Sequence, residues 1–529
     1  MDELKESPKK LLFKGTMILT LAALFSKVLS AVYRVPFQNI VGDIGFYIYQ
    51  QIYPFYGIAV AFATYGFSVV ISKLYAENIE GKDKSVGNQI LLPSFIAVAL
   101  FNFILFLITY FGSSLLANQM GDEQLKPLIK LVSCTFLVIP FLSVIRGYFQ
   151  GQGYMVPTAL SQVGEQTVRV SLILILSIVL INKGYSLYEI GEGAIVASVL
   201  GSLSGAIIIA CFFLRHYKKS KRKEKTIRIR VVIKTVLFQG IAVCISSLTL
   251  ILFQLIDSFQ IYPLLKNAGI HMEQAKILKG VYDRGQPLIQ LGMVLATSLS
   301  LAVVPMIAVM KKRSKEAVAY YIRLAFKISL AVSLAATIGL IMIMNHLNTM
   351  LFQNDAGSNV LRIFVIAIIL STVCTTIISV LQGFGIIYYP AITVIIGSMT
   401  KLIANGILIR QFNTAGAAIS TILSLGIMIF LLVWRLKQVI PMRLITWNFL
   451  RGLLKSLLYM ASSIVIFHLV CRPLTFQLTS RMFASFYALG ATFIGGTVYL
   501  ITLLRSQCFT NEEIALLPLG NKIKFINKK

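Results

Sequence analysis

Apolar residues in this chain are gathered into blocks of about twenty, the length a helix needs to cross a hydrocarbon core about 30 Å thick. Val360–Leu381 is one such block, and Leu172–Ile181 runs out of another. Summed over the chain, the blocks supply enough length for about fourteen such helices. The chain therefore reads as an all-α polytopic membrane protein with about fourteen transmembrane helices. The expected spans are 11–34, 46–72, 89–111, 126–149, 157–181, 190–214, 231–257, 283–310, 318–344, 360–382, 388–410, 414–434, 448–470 and 481–505. With 57% apolar and 13% charged residues, the composition departs from the soluble average of roughly 45–50% and 25%. The segment from Lys5 to Val32 has the outline of a signal peptide. Its apolar run is too long, contains Lys27 and lacks a small-x-small cleavage site, so it reads as a retained first helix.

A net charge of +29 would point to nucleic acid in a soluble protein. Here the charge lies between the blocks, so no nucleic-acid partner is expected. The N-terminal tail, the stretches near 73–88, 146–156, 215–230, 311–317 and 435–447 and the C-terminal tail hold about thirty of the 49 Lys and Arg, and the alternate connectors hold fewer than ten. That asymmetry, with an even number of spans, predicts that both termini are cytoplasmic. The most basic stretch, Arg215–Arg230, reads as a solvated connector that fixes topology or as a contact for anionic lipid or a partner. Six scattered cysteines and four histidines form no CxxC or HExxH pattern, so neither disulfides nor a metal site is expected. There is no GxxxxGK[ST] motif. The connectors are too short to carry the acid or metal cluster of a membrane-embedded glycosyltransferase. No cofactor and no enzymatic activity are expected; the chain reads as one that moves something across a bilayer.

The sequence repeats weakly at an offset of about 225–233 residues. Phe13-Lys14-Gly15 pairs with Phe238-Gln239-Gly240. Tyr49, Pro54, Ala63 and Thr64 pair with Tyr282, Pro287, Ala296 and Thr297, and FQGQGYMVP ending at Pro157 pairs with LQGFGIIYYP ending at Pro390. Six spans separate the copies, an even number, so both enter the membrane from the same side. This predicts two six-helix lobes related by a pseudo-two-fold axis along the membrane normal, facing each other across a central cavity, with two extra C-terminal helices. The expected divisions are an N-terminal lobe 1–214, a basic cytoplasmic linker 215–230, a C-terminal lobe 231–434, and helices 13–14 with a cytoplasmic tail over 435–529.

A charge at the bilayer centre costs at least about 2.5–3.5 kcal/mol, so each intramembrane charge needs a reason. Lys27 and Arg34 lie seven residues apart on one face of the first span, and Lys401 stands alone in the eleventh. Arg284 opens the eighth span beside Asp283, and Asp257 ends the seventh. Lys27, Arg34, Arg284 and Lys401 are the expected substrate-binding residues: together they would make a cationic cavity suited to an anionic headgroup. Glu165, Arg169, Asp257 and Asp283 are the expected gating charges. Bland alternatives stand beside these. Arg34 and Arg284 could snorkel to an interface, Arg323 and Lys327 to the cytoplasm, and Glu165 and Arg169, one turn apart with Gln162 and Gln166 on the same face, could simply neutralise each other. A cation-coupled exporter would more naturally show unpaired acids, for which Asp257 is the best candidate.

The strings RGYFQGQGYMVPTALSQVGEQTVRV (Arg146–Val170), YDRGQPLIQLG (Tyr282–Gly292) and LQGFG (Leu381–Gly385) resemble the stage V sporulation protein B branch of the polysaccharide and peptidoglycan-precursor exporters. That branch belongs to the multidrug/oligosaccharidyl-lipid/polysaccharide superfamily. The resemblance covers essentially the whole chain. It implies a flippase of the bacterial cytoplasmic membrane. Its cargo would be an undecaprenyl-diphosphate-linked saccharide, lipid II or another cell-wall precursor, moved by alternating access. A cation-coupled multidrug exporter is the alternative within the same superfamily. The implied partners are the anionic lipid-linked saccharide, membrane lipids and cell-wall synthesis enzymes, with the chain itself a monomer. FSKVLSAVYR (Phe25–Arg34) resembles the first-helix motif of the related lipid II flippases, with Lys27 at the place of a cavity arginine. Tyr33-Arg34 departs from their Arg-Asp pair, and Arg284 resembles their eighth-helix arginine.

Overall fold

Helices account for every regular element among the described residues of the computed structural model, which are 8–78, 86–216, 228–294, 315–440, 444–471, 480–506, 508–510 and 513. Residues 217–227 of the basic connector, the eighth span beyond 294 (with Ala296 and Thr297) and the tail beyond 513 lie outside the described residues. In chain order the helices are α1 (Pro8–Val32), α2 (Arg34–Ala61), a π-turn (Phe62–Gly66), α3 (Phe67–Asn78), α4 (Val86–Phe111), α5 (Ser113–Gln119) and α6 (Lys126–Ser133). They continue as α7 (Thr135–Gly151), α8 (Val156–Asn182), α9 (Leu187–His216), α10 (Ile229–Ser247), α11 (Thr249–Asn267) and α12 (Met272–Asp283). A helical stretch over 285–294, α13, follows. Then come α14 (Lys315–Phe352), α15 (Ser358–Phe364), α16 (Ala367–Gly383), α17 (Tyr388–Val439), α18 (Trp447–Cys471) and α19 (Ser480–Arg505).

Eleven helical runs among the described residues are long and apolar enough to cross a membrane. Two are far too long for one crossing: Met17–Asn78 has 62 residues and Tyr388–Val439 has 52, or about 90 and 80 Å at 1.5 Å per residue. Each is broken where the sequence predicts a connector. Gly42 (φ 69°, ψ −174°) separates the first expected span from the second, in a region of backbone space that only glycine enters cheaply. Asn413 (φ 51°, ψ −136°) separates the eleventh from the twelfth. Counting two crossings in each long run raises the eleven to thirteen, and the eighth expected span begins at α13. Outward-facing side chains such as Leu214 (79% exposed), Phe111 (75%), Phe493 (75%) and Phe430 (72%) would be a liability in water and are at home against lipid tails.

The described helices form two compact units, Met1–Asp283 with Ile386–Ser420, and Arg284–Gly385 with Thr421–Lys529. In the first, α8 lies along α9, α3 along α7, and α11 and α12 rest on α2. In the second, α14 is flanked by α16, α18 and α19. Small residues permit the close contacts, as is usual between membrane helices. Gly147 and Gly151 of α7 face Ser68, Ile71 and Tyr75 of α3, and Gly201 and Gly205 of α9 face Arg169 and Glu165 of α8. A Cβ on Gly201 would stand 2.6 Å from the Arg169 Cβ and 3.0 Å from the Glu165 carbonyl oxygen. Gly201→Val is therefore expected to cost about 1–3 kcal/mol through overpacking and to lower the melting temperature in detergent. An unchanged melting temperature would remove this reading of the α8–α9 contact.

The repeat has a local structural counterpart. Gly153 (φ 75°) and Gly385 (φ 85°) are both left-handed. Each closes its helix by donating to the carbonyl of the glutamine three residues earlier, Gln150 at 3.0 Å and Gln382 at 2.8 Å. Both QG-x-G strings thus end a helix by the same glycine cap.

Candidate functional site

Three tyrosines of α2, Tyr49, Tyr53 and Tyr56, are spaced four and three residues apart and so share one helical face. Tyr33, just before α2, joins them through a hydroxyl–hydroxyl hydrogen bond to Tyr49 of 2.7 Å. Against this aromatic wall stand two arginines. Arg34 is fully buried and its guanidinium carbon lies 4.2 Å from the Tyr53 ring centroid. Arg169, from α8, is 1% exposed and lies 5.2 Å from the Tyr33 centroid and 4.7 Å from that of Tyr56. Arg169 Nη2 donates to Ser30 Oγ at 3.2 Å, while its Nε and all three guanidinium nitrogens of Arg34 have no hydrogen-bond partner among the described residues. The same holds for both ends of the Gln50 carboxamide and for the carboxamide oxygens of Gln162 and Gln166 on the Arg169 face of α8.

Desolvating one unpaired guanidinium costs several kcal/mol, and a cation–π contact returns about 0.5–2 kcal/mol. The tyrosine wall therefore steadies the two cations without satisfying them. Glu165 does not neutralise Arg169, although the two are one turn apart. Its carboxylate accepts from Arg146 Nη2 at 2.8 Å, and Ser161 Oγ accepts from the same guanidinium at 2.7 and 3.2 Å. The reason is helix packing: α7 carries Arg146 into the α8–α9 seam, where Ser161 also donates to the Gly205 carbonyl at 2.9 Å. Arg146 and Glu165 form an ion pair, and among the described residues Arg34 and Arg169 have none. Such a site suits a dianionic group, with the Gln162 and Gln166 carboxamide oxygens on the Arg169 face available to donors on it.

The other sequence candidates make contacts of their own. Lys401 is not a lone cation: its Nζ lies 2.8 Å from Asp257 Oδ1, with both side chains almost wholly buried. Asn405 Nδ2 and Tyr282 Oη also donate to Asp257, each at 3.0 Å. The acid comes from α11 rather than from the helix of Lys401, which no single-helix reading could find. Asp283 is held by Lys279 of its own helix at 2.6 Å. Arg284, in the second unit, donates to Asn348 at 3.2 Å and Asn354 at 2.8 Å, and its guanidinium lies 5.2 Å from the Phe352 centroid. Lys27 is half-buried, 5.6 Å from the Tyr65 centroid in the π-turn. Lys327 pairs with Glu513 at 2.8 Å, and Arg323 is exposed. Among the described residues no group of three His, Cys, Asp or Glu could hold a metal.

Sequence reasoning missed the tyrosines. Their i, i+4, i+7 spacing is visible in the sequence, as is the Gln50-Gln51 pair inside an apolar span. Arg146 was visible in its motif but looked like part of a cytoplasmic connector.

The family model described as "Polysaccharide biosynthesis protein" matches residues 12–311. Uncharacterized membrane protein YabM of Bacillus subtilis (strain 168) is 38% identical over 538 residues, covering 100% of this chain and 99% of its own length. Lipid II flippase MurJ of the same organism is 24% identical over 78% of this chain and 80% of its own length, and its Stage V sporulation protein B is 32% identical over 42% and 41%. Among solved structures, that of Lipid II flippase MurJ in an inward closed conformation matches with a TM-score of 0.65 at 18% identity, covering 92% of this chain and 98% of that one. The chain is a multi-pass membrane protein that belongs to the polysaccharide biosynthesis protein family, in the flippase superfamily.

Proposed function

We propose that this protein is a flippase carrying an undecaprenyl-diphosphate-linked saccharide across a bacterial cytoplasmic membrane by alternating access of two six-helix lobes, 1–214 and 231–434. One observation carries the reading: Arg34 and Arg169 are buried against one tyrosine wall, and neither has an ion-pair partner among the described residues. A diphosphate supplies the missing negative charge and acceptors, and the tyrosines and free carboxamides suit the sugar that follows it. The basic-connector count supports cytoplasmic termini, and the matching glycine caps at Gly153 and Gly385 support the two-lobe division. The lipid tail stays in the bilayer, so membrane lipids are the second partner. The chain acts as a monomer that supplies cell-wall synthesis enzymes and catalyses no covalent step. Lys27, Arg284 and Lys401 remain proposed substrate contacts in other states of the cycle, with Asp257 and Asp283 as their switchable partners.

The rival reading, a cation-coupled multidrug exporter, needs an available acid. Asp257 is engaged by Lys401, Asn405 and Tyr282, so nothing at that carboxylate favours it. The two readings separate in a binding test on the purified protein. Undecaprenyl diphosphate is expected to raise the melting temperature, and organic dye cations to leave it unchanged. Stabilisation by the dyes and not by the diphosphate lipid would overturn the proposal.

A further inference from the structure

A second charged cluster, away from the Arg34–Arg169 site, joins connectors that carry few basic residues. Asp122, between α5 and α6, is 6% exposed and extended (φ −140°, ψ 95°). Its Oδ2 accepts from Tyr188 Oη at 2.6 Å and Tyr47 Oη at 3.2 Å, and lies 3.1 Å from Lys276 Nζ. Lys276 belongs to α12. Its ammonium also donates to Tyr188 Oη at 2.6 Å and stands 5.9, 5.2 and 5.7 Å from the ring centroids of Tyr47, Tyr188 and Tyr262. One ammonium is thus enclosed by three aromatic rings and pinned by one buried carboxylate.

The helices that supply the cluster come from both halves of the repeat. Tyr47 and Tyr188 lie on α2 and α9, Tyr262 and Lys276 on α11 and α12. The backbones meet closely: a Cβ on Gly280 would collide with the Asp43 carbonyl, and Gly121 is left-handed (φ 75°) beneath Tyr262. Further along, Gln51 donates to the Ser258 carbonyl at 3.0 Å. An aromatic cage around an ammonium is strong while dry and weak once water enters, because hydration competes for the cation.

We propose that Lys276, Asp122 and the three tyrosines form the external latch of the transport cycle. In the closed state the caged ammonium ties the outer ends of α11 and α12 to those of α2 and α9. Release of cargo outward requires the cage to open and hydrate. The inference rests on the orientation and the flippase reading proposed above.

The test reads conformation without cargo. In a background with the native cysteines replaced, Ser30→Cys beside Arg169 reports access from outside to a membrane-impermeant maleimide. Lys276→Met and Asp122→Asn are expected to raise the labelling rate about tenfold or more, the shift produced by about 1.4 kcal/mol. Tyr188→Phe, which keeps the ring and loses one hydroxyl, is expected to give a smaller rise. Lys276→Arg keeps both the cation and its stacking and is expected to stay near the parent rate. A parental rate in Lys276→Met, Asp122→Asn and Tyr188→Phe, all with parental melting temperatures, would overturn the latch and leave the flippase reading standing. So would a rate in Lys276→Arg equal to that of Lys276→Met, since loss of packing would then be the cause. Raised labelling together with a parent protein indifferent to undecaprenyl diphosphate would keep the latch and remove the cargo.

Discussion

Lys401→Met is expected to lower the unfolding free energy by about 3–5 kcal/mol, the usual cost of stranding one half of a buried ion pair. Lys401 and Asp257 are 2.8 Å apart, with side-chain exposures of 0% and 2%. Methionine approximates the lysine stem, so packing is largely kept and the loss falls on the carboxylate. Asn405 and Tyr282 still donate to it, but neutral donors do not replace an ammonium in a low-dielectric setting. The second substitution separates charge from shape. Lys401→Met with Asp257→Asn removes both charges, keeps an acceptor for Tyr282, and should recover most of the loss. A double-mutant cycle of melting curves in detergent reads the coupling. A single variant as stable as the parent would mean that the pair is hydrated and its apparent burial irrelevant.

Arg34→Ala is expected to weaken binding of a diphosphate lipid about a hundredfold or more, the scale of truncating one partner of a desolvated charge pair. Stability should move in the opposite direction or not at all. Arg34 contributes a buried cation with no hydrogen-bond partner among the described residues and a cation–π contact with Tyr53 in return, so the unliganded protein loses little when it goes. Arg34→Lys should not restore binding, because a point ammonium can neither stack flat on Tyr53 nor present a planar pair of donors to a phosphate. Arg169→Ala should behave alike, with Tyr33 and Tyr56 losing their cation. Calorimetry of purified variants against undecaprenyl diphosphate checks this. Parental affinity in both alanine variants would move the anion site elsewhere.

The crossings were legible because hydrocarbon thickness imposes a length on each one, and the expected connectors 35–45 and 411–413 fall where Gly42 and Asn413 break the long helical runs. Charge pairing was legible only within a helix. Lys279–Asp283 is an i, i+4 pair on α12, readable in principle. Glu165 and Arg169 have the same spacing, yet α7 brings Arg146 closer and takes the carboxylate. Lys401 looked solitary because its acid lies 144 positions earlier, on a helix that only tertiary packing brings alongside. The tyrosine wall escaped notice for a related reason. An aromatic stripe at helical spacing is ordinarily core, and what distinguishes this one is the pair of unsatisfied guanidiniums against it. The latch residues were invisible, since Asp122 and Lys276 fall between the expected spans, where solvated charge is the default expectation.

Translocation of a fluorescent undecaprenyl-diphosphate saccharide between leaflets of proteoliposomes reads the proposed activity itself. The parent protein is expected to flip it, and Arg34→Ala with Arg169→Ala to abolish flipping while inserting and melting like the parent. Flipping by that double variant at the parental rate would contradict the account.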